Sequence, residues 1–242
     1  MNNSVIIGHP DKNSFCHNGI FKTITETFSK HENHNLTTID LYEDKLHRDK
    51  KDLVSKYKEL ITWSDRIYFI SPVWWFRLTP KMETFFDEVF TPGFAYEFVN
   101  ITKTYAYPRS FLKKKKIRCY LTHGAPALPV KTMYLNSVKL RLVLGVFTFV
   151  FGWGGNWSNT KQFWSVPFVS DLKREKYLRT VKKDILKDLK EIKIIEFDHT
   201  DVVRHPLVSK IIRAYQKKST DDKLSLIHIS EPTRPRLMSY AV

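Results

Sequence analysis

Short apolar runs alternate with amphipathic segments along most of the chain. Residues 4–8 form a continuous apolar run, which is typical of a strand buried on both faces of a parallel sheet. Similar runs predict strands at residues 35–41, 66–70 and 117–122, and a fifth strand at either 146–151 or 161–166.

Apolar positions at helical spacing separate these runs. Phe15, Ile20, Ile24 and Phe28 follow Ser14, which is placed to cap the N-terminus of a first helix. The same spacing predicts helices at residues 50–63, 80–90, 131–144 and 171–189. This alternation predicts parallel βαβ units, because right-handed crossovers return each strand to the same sheet. We therefore predict an α/β protein with a doubly wound five-stranded parallel sheet, strand order 2-1-3-4-5, and helices on both faces.

The remaining segments are less regular. Residues 97–112 have little periodicity and are interpreted as an excursion over the site, between the third helix and the fourth strand. We expect one α/β domain over residues 1–200, followed by an extension at 201–223 that carries one short helix at 203–215. The composition of residues 224–242 differs from the rest and resembles translated sequencing adapter, so we expect a disordered tail that is foreign to the natural product. Resequencing the locus tests that hypothesis.

Lys plus Arg outnumber Asp plus Glu by 40 to 25, which gives a formal charge of +15. Such a surface attracts nucleic acid, an anionic membrane face or a phosphorylated cofactor. The densest basic run, residues 113–116, has no interleaved aromatics and directly precedes a predicted strand. We interpret it as a solvated loop and expect no nucleic acid partner.

Two cysteines are too few for a disulfide framework in a chain of 242 residues, so a reducing compartment is expected. The chain begins without the pattern of a signal peptide. Its longest apolar passage, residues 142–155, is shorter than the roughly 18 residues that a membrane span needs. We expect a cytoplasmic protein with no membrane span, and the residue pattern predicts no metal site.

Three turns follow the first, third and fourth predicted strands, at residues 9–15, 72–76 and 122–126. In a doubly wound sheet, ligands bind outside the carboxyl ends of the strands, where the strand order reverses. The three turns are therefore predicted to meet at a single site.

Each turn suggests a different part of a ligand. The first enters a helix N-terminus, which favours a phosphate, although Ser14 alone is more simply a cap and His9 a strand-end histidine. The second exposes Trp74, Trp75 and Phe76, which indicates either a flat ligand or plain packing beneath a loop. The third is small enough for a ring system to approach the backbone.

Three segments carry a resemblance to a known family: residues 8–15 (GHPDKNSF), 71–81 (SPVWWFRLTPK) and 86–96 (FDEVFTPGFAY). Weaker similarity continues through residues 122–126 (THGAP) and the last predicted helix. The chain resembles the NAD(P)H:quinone oxidoreductases, whose fold is flavodoxin-like. The resemblance implies FAD, or alternatively FMN, with NADPH or NADH as the hydride donor, a quinone-like acceptor, ping-pong transfer through the flavin N5, and a homodimer. FAD is preferred because the excursion at 97–112 resembles that of the FAD-using members.

The resemblance also implies the residues that bind the flavin. On its phosphate side they are His9, Ser14, Phe15 and Cys16; along its ring they are Pro72, Val73, Trp74, Trp75 and Phe76; at its other edge they are Thr122, His123, Gly124 and Ala125.

The chain departs from the family pattern at two positions. Cys16 stands where relatives carry an asparagine, and Val130 stands where a tyrosine that steadies the reduced flavin is expected. Tyr134 and Asn136 lie nearby and are predicted to substitute as catalytic residues. The alternative function is a regulatory or binding module with weakened turnover, such as a soluble partner of a membrane ion-efflux system.

Overall fold

The computed structural model describes residues 1–190 except residues 32, 48 and 155. The predicted end of the domain at residue 200, the extension at 201–223 with its helix at 203–215, and the tail at 224–242 lie outside the described residues. None of the described helices is long and apolar enough to cross a bilayer.

Five parallel strands form one sheet in the part of the chain that the structure describes. Counted along the chain, its five strands lie in the spatial order 2-1-3-4-5, which confirms the prediction, and two more strands lie between the third and the fourth in the sequence. The two intervening strands pair antiparallel in a separate hairpin. The strands are β1 (Asn2–Ile7), β2 (Asn35–Asp40), β3 (Arg66–Val73), β4 (Tyr96–Asn100), β5 (Ala106–Ser110), β6 (Lys116–His123) and β7 (Thr160–Phe163).

Helices cover both faces of this sheet. The first, α1, starts as a π-helix at Phe15–Phe21 and continues as an α-helix at Lys22–Phe28. The fifth, α5, likewise runs through Ser137–Leu140, the π-helical Arg141–Phe147 and Thr148–Phe151. The others are α2 (Lys51–Trp63), α3 (Pro80–Val89), α4 (Ala127–Thr132), α6 (Asn156–Asn159) and α7 (Asp171–Lys190).

The central strands are apolar on both faces, which explains their continuous apolar runs. Phe69 of β3 belongs to a cluster of phenylalanines packed beneath α3 and α5. Its neighbours Tyr68 and Ile70 point to the opposite face, where α1 and α7 pack. Successive residues of one strand therefore anchor two separate helix layers.

Buried ion pairs attach α7 to the amino ends of β3 and β6. The Asp188 carboxylate, 2% exposed, accepts hydrogen bonds from Nε and Nη2 of Arg118 and pairs with Arg66. It also accepts a hydrogen bond of 3.1 Å from the Tyr68 hydroxyl. One turn earlier, Asp184 pairs with Lys161 of β7 at 2.6 Å. These contacts fix the position of the helix whose other end reaches the site.

The structure selects one of two alternatives that the sequence left open and corrects two other predictions. The fifth strand is the second of the two alternatives, Thr160–Phe163, because residues 146–151 are helical. The helix predicted at 131–144 is broken, since Leu135 and Asn136 have φ angles of 49° and 51° in the left-handed region. Most of the excursion at 97–112 is the β4–β5 hairpin, whose side chains are largely exposed and so lack an apolar rhythm.

Candidate functional site

The turns after β1, β3 and β6 converge on one cleft of about 730 Å³ at the carboxyl end of the sheet. This arrangement is the one predicted from the strand order. The predicted residues that line the cleft are His9, Ser14, Phe15, Cys16, Pro72, Val73, Trp74, Thr122, His123 and Gly124.

Five other predicted residues are not part of the cleft lining. Trp75, Phe76 and Ala125 belong to the same turns but do not line the cleft. Tyr134 packs its ring against Phe76, with the ring centroids 4.4 Å apart. Asn136 reaches the cleft only indirectly, through Gln162.

The turn after β1 is stabilised by its own side chains. Asp11 Oδ1 accepts a hydrogen bond of 2.8 Å from the N–H of Asn13. Ser14 Oγ accepts one of 3.4 Å from the N–H of His17, so Ser14 caps α1 as predicted. Because the first N–H groups of a helix have no intrahelical acceptor, this end of the cleft can hold an anion.

His9 supports the same turn. Nδ1 of His9 accepts a hydrogen bond of 3.0 Å from the N–H of Asp11, and the ring meets Trp74 edge to face at 5.9 Å. Burial, and then the nearby His17, lowers the pKa of His9 below its ordinary value. At neutral pH His9 is therefore uncharged, and its ring acts as a hydrogen bond donor and acceptor rather than as a cation.

Cys16 connects α1 to β6 at the bottom of the cleft. Its Sγ lies 3.3 Å from the hydroxyl oxygen of Thr122. Burial raises the pKa of the Cys16 thiol to about 12, so the thiol stays protonated and is a poor nucleophile.

The turn after β3 is a tight two-residue hairpin. The backbones of Trp74 and Arg77 exchange hydrogen bonds of 2.8 and 2.9 Å across it. Trp75 and Phe76 occupy its centre with φ angles of 49° and 57°, where Asn and Gly are usual. Such conformations cost on the order of 1–3 kcal/mol each and tend to persist at functional sites.

This hairpin presents its aromatic side chains in different directions. Trp74 lines the cleft, whereas Trp75 is 94% exposed. Of the two adjacent tryptophans that the sequence singled out, Trp74 therefore lines the cleft and Trp75 points to solvent.

The turn after β6 holds a neutral histidine. The His123 ring stacks on Trp164 with centroids 4.2 Å apart, and burial lowers its pKa to about 4. The Gln162 amide lies 3.1 Å from His123 Nε2 and donates to it, which leaves the ring proton on Nδ1. Gln162 is held in turn by two hydrogen bonds to the amide of Asn136, of 2.9 and 2.8 Å.

Gly124 leaves open space beside the backbone at this turn. A Cβ atom built on Gly124 would meet nothing within 4 Å, although the residue lines the cleft. A flat group therefore has room to lie against this backbone.

Sequence reasoning missed the contribution of α7. The first turns of this helix complete the cleft wall, and Arg174 is fixed there by hydrogen bonds to the carbonyl oxygens of Val166 and Pro167 and to Asp171 Oδ1. The signal was available, because the loop after the fifth strand of a doubly wound sheet ends at the same edge. The other α7 residues in the wall are Asp171, Glu175 and Leu178.

The charge of the cleft is mixed. Asp11, Asp171 and Glu175 contribute carboxylates, and Arg174 contributes a guanidinium. Among the described residues, no group of three or more His, Cys, Asp or Glu side chains could hold a metal ion.

Comparison with known families identifies the fold. A family model described as "Flavodoxin-like fold" matches residues 1–155, well over half of the chain. The chain belongs to this flavodoxin-like family. The cleft lies where such a fold places its ligand, since the strand order reverses between the adjacent strands β1 and β3.

Solved structures of low sequence identity share the flavodoxin-like fold. Smu.1420 of Streptococcus mutans UA159 is 23% identical with a TM-score of 0.65, covering 77% of this chain and 100% of that chain. An NAD(P)H:quinone oxidoreductase of Methanothermobacter marburgensis is 19% identical with a TM-score of 0.60, covering 76% and 95% of the two chains. General stress protein 14 of Treponema denticola, solved in complex with FMN, is 21% identical with a TM-score of 0.52, covering 80% and 100%.

One characterised protein matches a short segment. The PhoH-like protein of Bacillus subtilis is 59% identical over 39 residues, which are 16% of this chain and 12% of that protein. This match spans too little of either chain to inform the function of the flavodoxin-like cleft.

Proposed function

We propose that the chain is a flavin-dependent NAD(P)H oxidoreductase that reduces a quinone or a similar small acceptor. The observation that carries this proposal is the convergence of three turns on one cleft, whose wall includes both a helix N-terminus and the open backbone at Gly124. Structural neighbours named as a quinone oxidoreductase and as a protein in complex with FMN support it.

The residues of the cleft fit a phosphorylated flat ring. Ser14 and the first N–H groups of α1 would hold the phosphate. Trp74 and the backbone of residues 72–73 would line one side of the ring, and the backbone at Gly124 the other. The volume of about 730 Å³ lies within the usual range for a cofactor-sized ligand.

The protein would contribute placement and electrostatics. A bound flavin supplies the redox chemistry, which is hydride transfer from NADPH or NADH through its N5 to an acceptor in two successive half-reactions. His123, neutral and proton-bearing at Nδ1, offers a hydrogen bond donor without a permanent charge. The Cys16 thiol, whose pKa is raised by burial, takes no covalent part.

FAD is the preferred cofactor, with FMN as the alternative. The cleft continues beyond Ser14 between α1 and α7, where Gly19 and Leu178 line it and Arg174 is fixed. We propose that the second phosphate of FAD, which FMN lacks, lies along this part of the cleft wall.

Absorbance of the purified protein tests the proposal. We expect flavin absorption bands in the near-ultraviolet and the blue, either in the protein as purified or after FAD or FMN is added and the excess is removed. The long-wavelength band should bleach when NADPH or NADH is added without oxygen, and return when a quinone follows. Colourless protein that takes up neither flavin would contradict the proposal.

We also propose a homodimer that covers the outer side of the cleft. Trp75, Phe76 and Tyr134 leave aromatic surface exposed beside it, at 94%, 38% and 47%. Sedimentation at several concentrations tests this, and a monomer throughout would contradict it.

A regulatory module is the second candidate, and one observation favours it. Val130, at the position expected to hold a tyrosine, is buried and does not line the cleft, and neither Tyr134 nor Asn136 lines it. Flavin binding without steady quinone reduction would support this candidate, whereas turnover at ordinary enzymatic rates would exclude it.

A further inference from the structure

A second groove, of about 740 Å³, lies along the edge strand β7. It is separated from the cleft by a ring stack, since His123 lines the cleft and its partner Trp164 lines the groove. No Asp or Glu is among the residues that line the groove. Its basic residues are Lys131, Lys139, Lys161, Lys173 and Lys176.

Most of this positive charge is not neutralised. Lys161 pairs with Asp184 at 2.6 Å, but among the described residues no carboxylate pairs with the other four lysines. Burial lowers the pKa of Lys139, and the charge of Lys131 lowers it further. An anion in the groove would relieve this repulsion between the lysines.

Aromatic rings alternate with these lysines. The ammonium of Lys139 lies 4.5 Å from the centroid of Trp157, and that of Lys131 lies 5.6 Å from the centroid of Trp164. Trp157 is 46% exposed, so its indole remains accessible from the groove. Lysines beside accessible rings are typical of surfaces that bind phosphates and stack bases.

A smaller basic groove lies at the starts of β3 and β6. It has a volume of about 390 Å³ and contains Lys113, Lys114, Lys187 and the 75% exposed Trp153. Its single carboxylate, Asp188, is already paired with two arginines.

Two helices show that the grooves are consecutive. The short helix α6 contributes Trp157 to the first groove and Asn156 to the second. The long helix α7 contributes Lys176 to the first and Lys187 to the second, and eleven residues of helix span roughly 16 Å. The surface is therefore long enough for several phosphates in a row.

We propose that the two grooves together, from Lys173 to Lys113 by way of α6, bind single-stranded nucleic acid. Lysines hold the phosphates, and Trp157 and Trp153 stack on bases. A mononucleotide would occupy one groove only, and a regular duplex keeps the faces of its bases covered. The basic run at residues 113–116 lacks aromatic neighbours along the sequence, but folding brings Trp153 to the same groove.

Fluorescence anisotropy with a labelled oligonucleotide of about 12 nucleotides tests the proposal, since sites of this kind cover about 4–16 nucleotides. The full chain should bind oligo(dT) or oligo(U) at low salt. Trp157→Ala should weaken binding about tenfold, and Trp157→Phe should restore most of it, because a ring is still present to stack. Trp63→Ala, which removes a comparably exposed indole at the end of α2, should change nothing.

Salt dependence separates the lysines that hold phosphates from the general charge of the protein. Replacing Lys139 and Lys176 together with Gln should reduce the slope of log affinity against log salt by about 0.7 for each lysine. Replacing Lys51 and Lys56 together with Gln, on α2, removes the same two charges elsewhere and should leave the slope unchanged. A slope that is equal in both variants would overturn the proposal.

Competing ligands complete the test. A duplex of the same length and polyglutamate should both bind more weakly than the oligonucleotide. Equal binding of all three would overturn the proposal in favour of non-specific charge attraction. Binding only to vesicles of anionic phospholipid would overturn it in favour of a membrane surface, and so would no binding at all at low salt.

Discussion

Strands β3 and β6 carry opposite chemistry at their two ends. Near their starts, Arg66 and Arg118 are buried and share the carboxylate of Asp188. At their ends, Val73 and the neutral His123 line a cleft that has open space beside the backbone of Gly124. The same pair of strands therefore supports two regions that differ in whether their polar groups are already satisfied.

The difference indicates which region serves stability and which serves binding. The buried Arg66, Arg118 and Asp188 are paired with one another, so a ligand would gain little from these three groups and the removal of one partner would cost much. The cleft instead combines a few charged groups, two neutral histidines, an aromatic side chain and a concave volume of about 730 Å³, which is the usual character of a small-molecule site. Variants at the two ends should accordingly affect different measurements.

Replacing Asp188 by Ala should have the largest effect. It leaves the Arg66 and Arg118 guanidiniums buried without their carboxylate, and we expect the free energy of unfolding to fall by about 3–5 kcal/mol. Urea denaturation followed by circular dichroism measures this change. Arg179→Ala removes an exposed pair with Glu175 from the same helix and should cost less than about 1 kcal/mol. Similar losses in both variants would show that the buried cluster has no special role.

Gly124→Leu should instead leave the stability of the fold unchanged and weaken flavin binding. Its side chain would enter the space where no protein atom lies within 4 Å, so the fold should be kept while flavin affinity falls by about 100-fold, or ~2.7 kcal/mol. Equilibrium titration with FAD and FMN measures the affinity. Gly145→Leu adds the same side chain at another glycine whose added Cβ would meet no atom within 4 Å, outside the cleft lining, and should bind flavin normally. Unchanged affinity in Gly124→Leu would show that the flavin ring does not lie against Gly124.

The burial of His123 predicts a dependence of stability on pH. Its pKa falls from 6.5 to about 4 on folding, so the folded state resists protonation that the unfolded chain accepts. The free energy of unfolding should therefore decrease as the pH falls from 6.5 towards 4, by up to about 1.4 kcal/mol per pH unit. His123→Asn should flatten this dependence, while His47→Asn, at an exposed position, should not. Parallel pH curves for the wild type and His123→Asn would contradict this explanation.

The smallest effect separates the two adjacent tryptophans. Trp74→Ala removes a ring that lines the cleft and should lower flavin affinity about tenfold. Trp75→Ala removes a ring that is 94% exposed and should lower it far less in the monomer. Fluorescence titration of both variants with flavin measures the two affinities. A larger loss of affinity in Trp75→Ala would show that Trp75, and not Trp74, contacts the flavin.

The fold was predictable because each central strand is buried on both faces. The resulting apolar runs, such as residues 66–70, are unambiguous, and the alternation with helices determines the sheet type. The β4–β5 hairpin was not predictable in the same way, since its exposed side chains are not selected for an apolar rhythm. The break at Leu135 and Asn136 was missed because helical spacing continues across it; Asn136, which tolerates the left-handed region, was its only signal.

The site was predictable only in part. The three turns follow directly from the strand order, and most of their residues do line the cleft. The directions of Trp74 and Trp75 depend on a hairpin with two positive φ angles, which bulky aromatic residues do not predict. The pairing of Arg66 with Asp188, and the place of Arg174 in the cleft wall, depend on where α7 packs after the chain has folded.

A crystal structure of the protein with bound FAD or FMN tests the central claim most directly. We predict that the ring lies between Trp74 and the backbone of Gly124, with its phosphate at the N-terminus of α1. A flavin found elsewhere on the molecule, with the three turns empty, would contradict this account of the cleft.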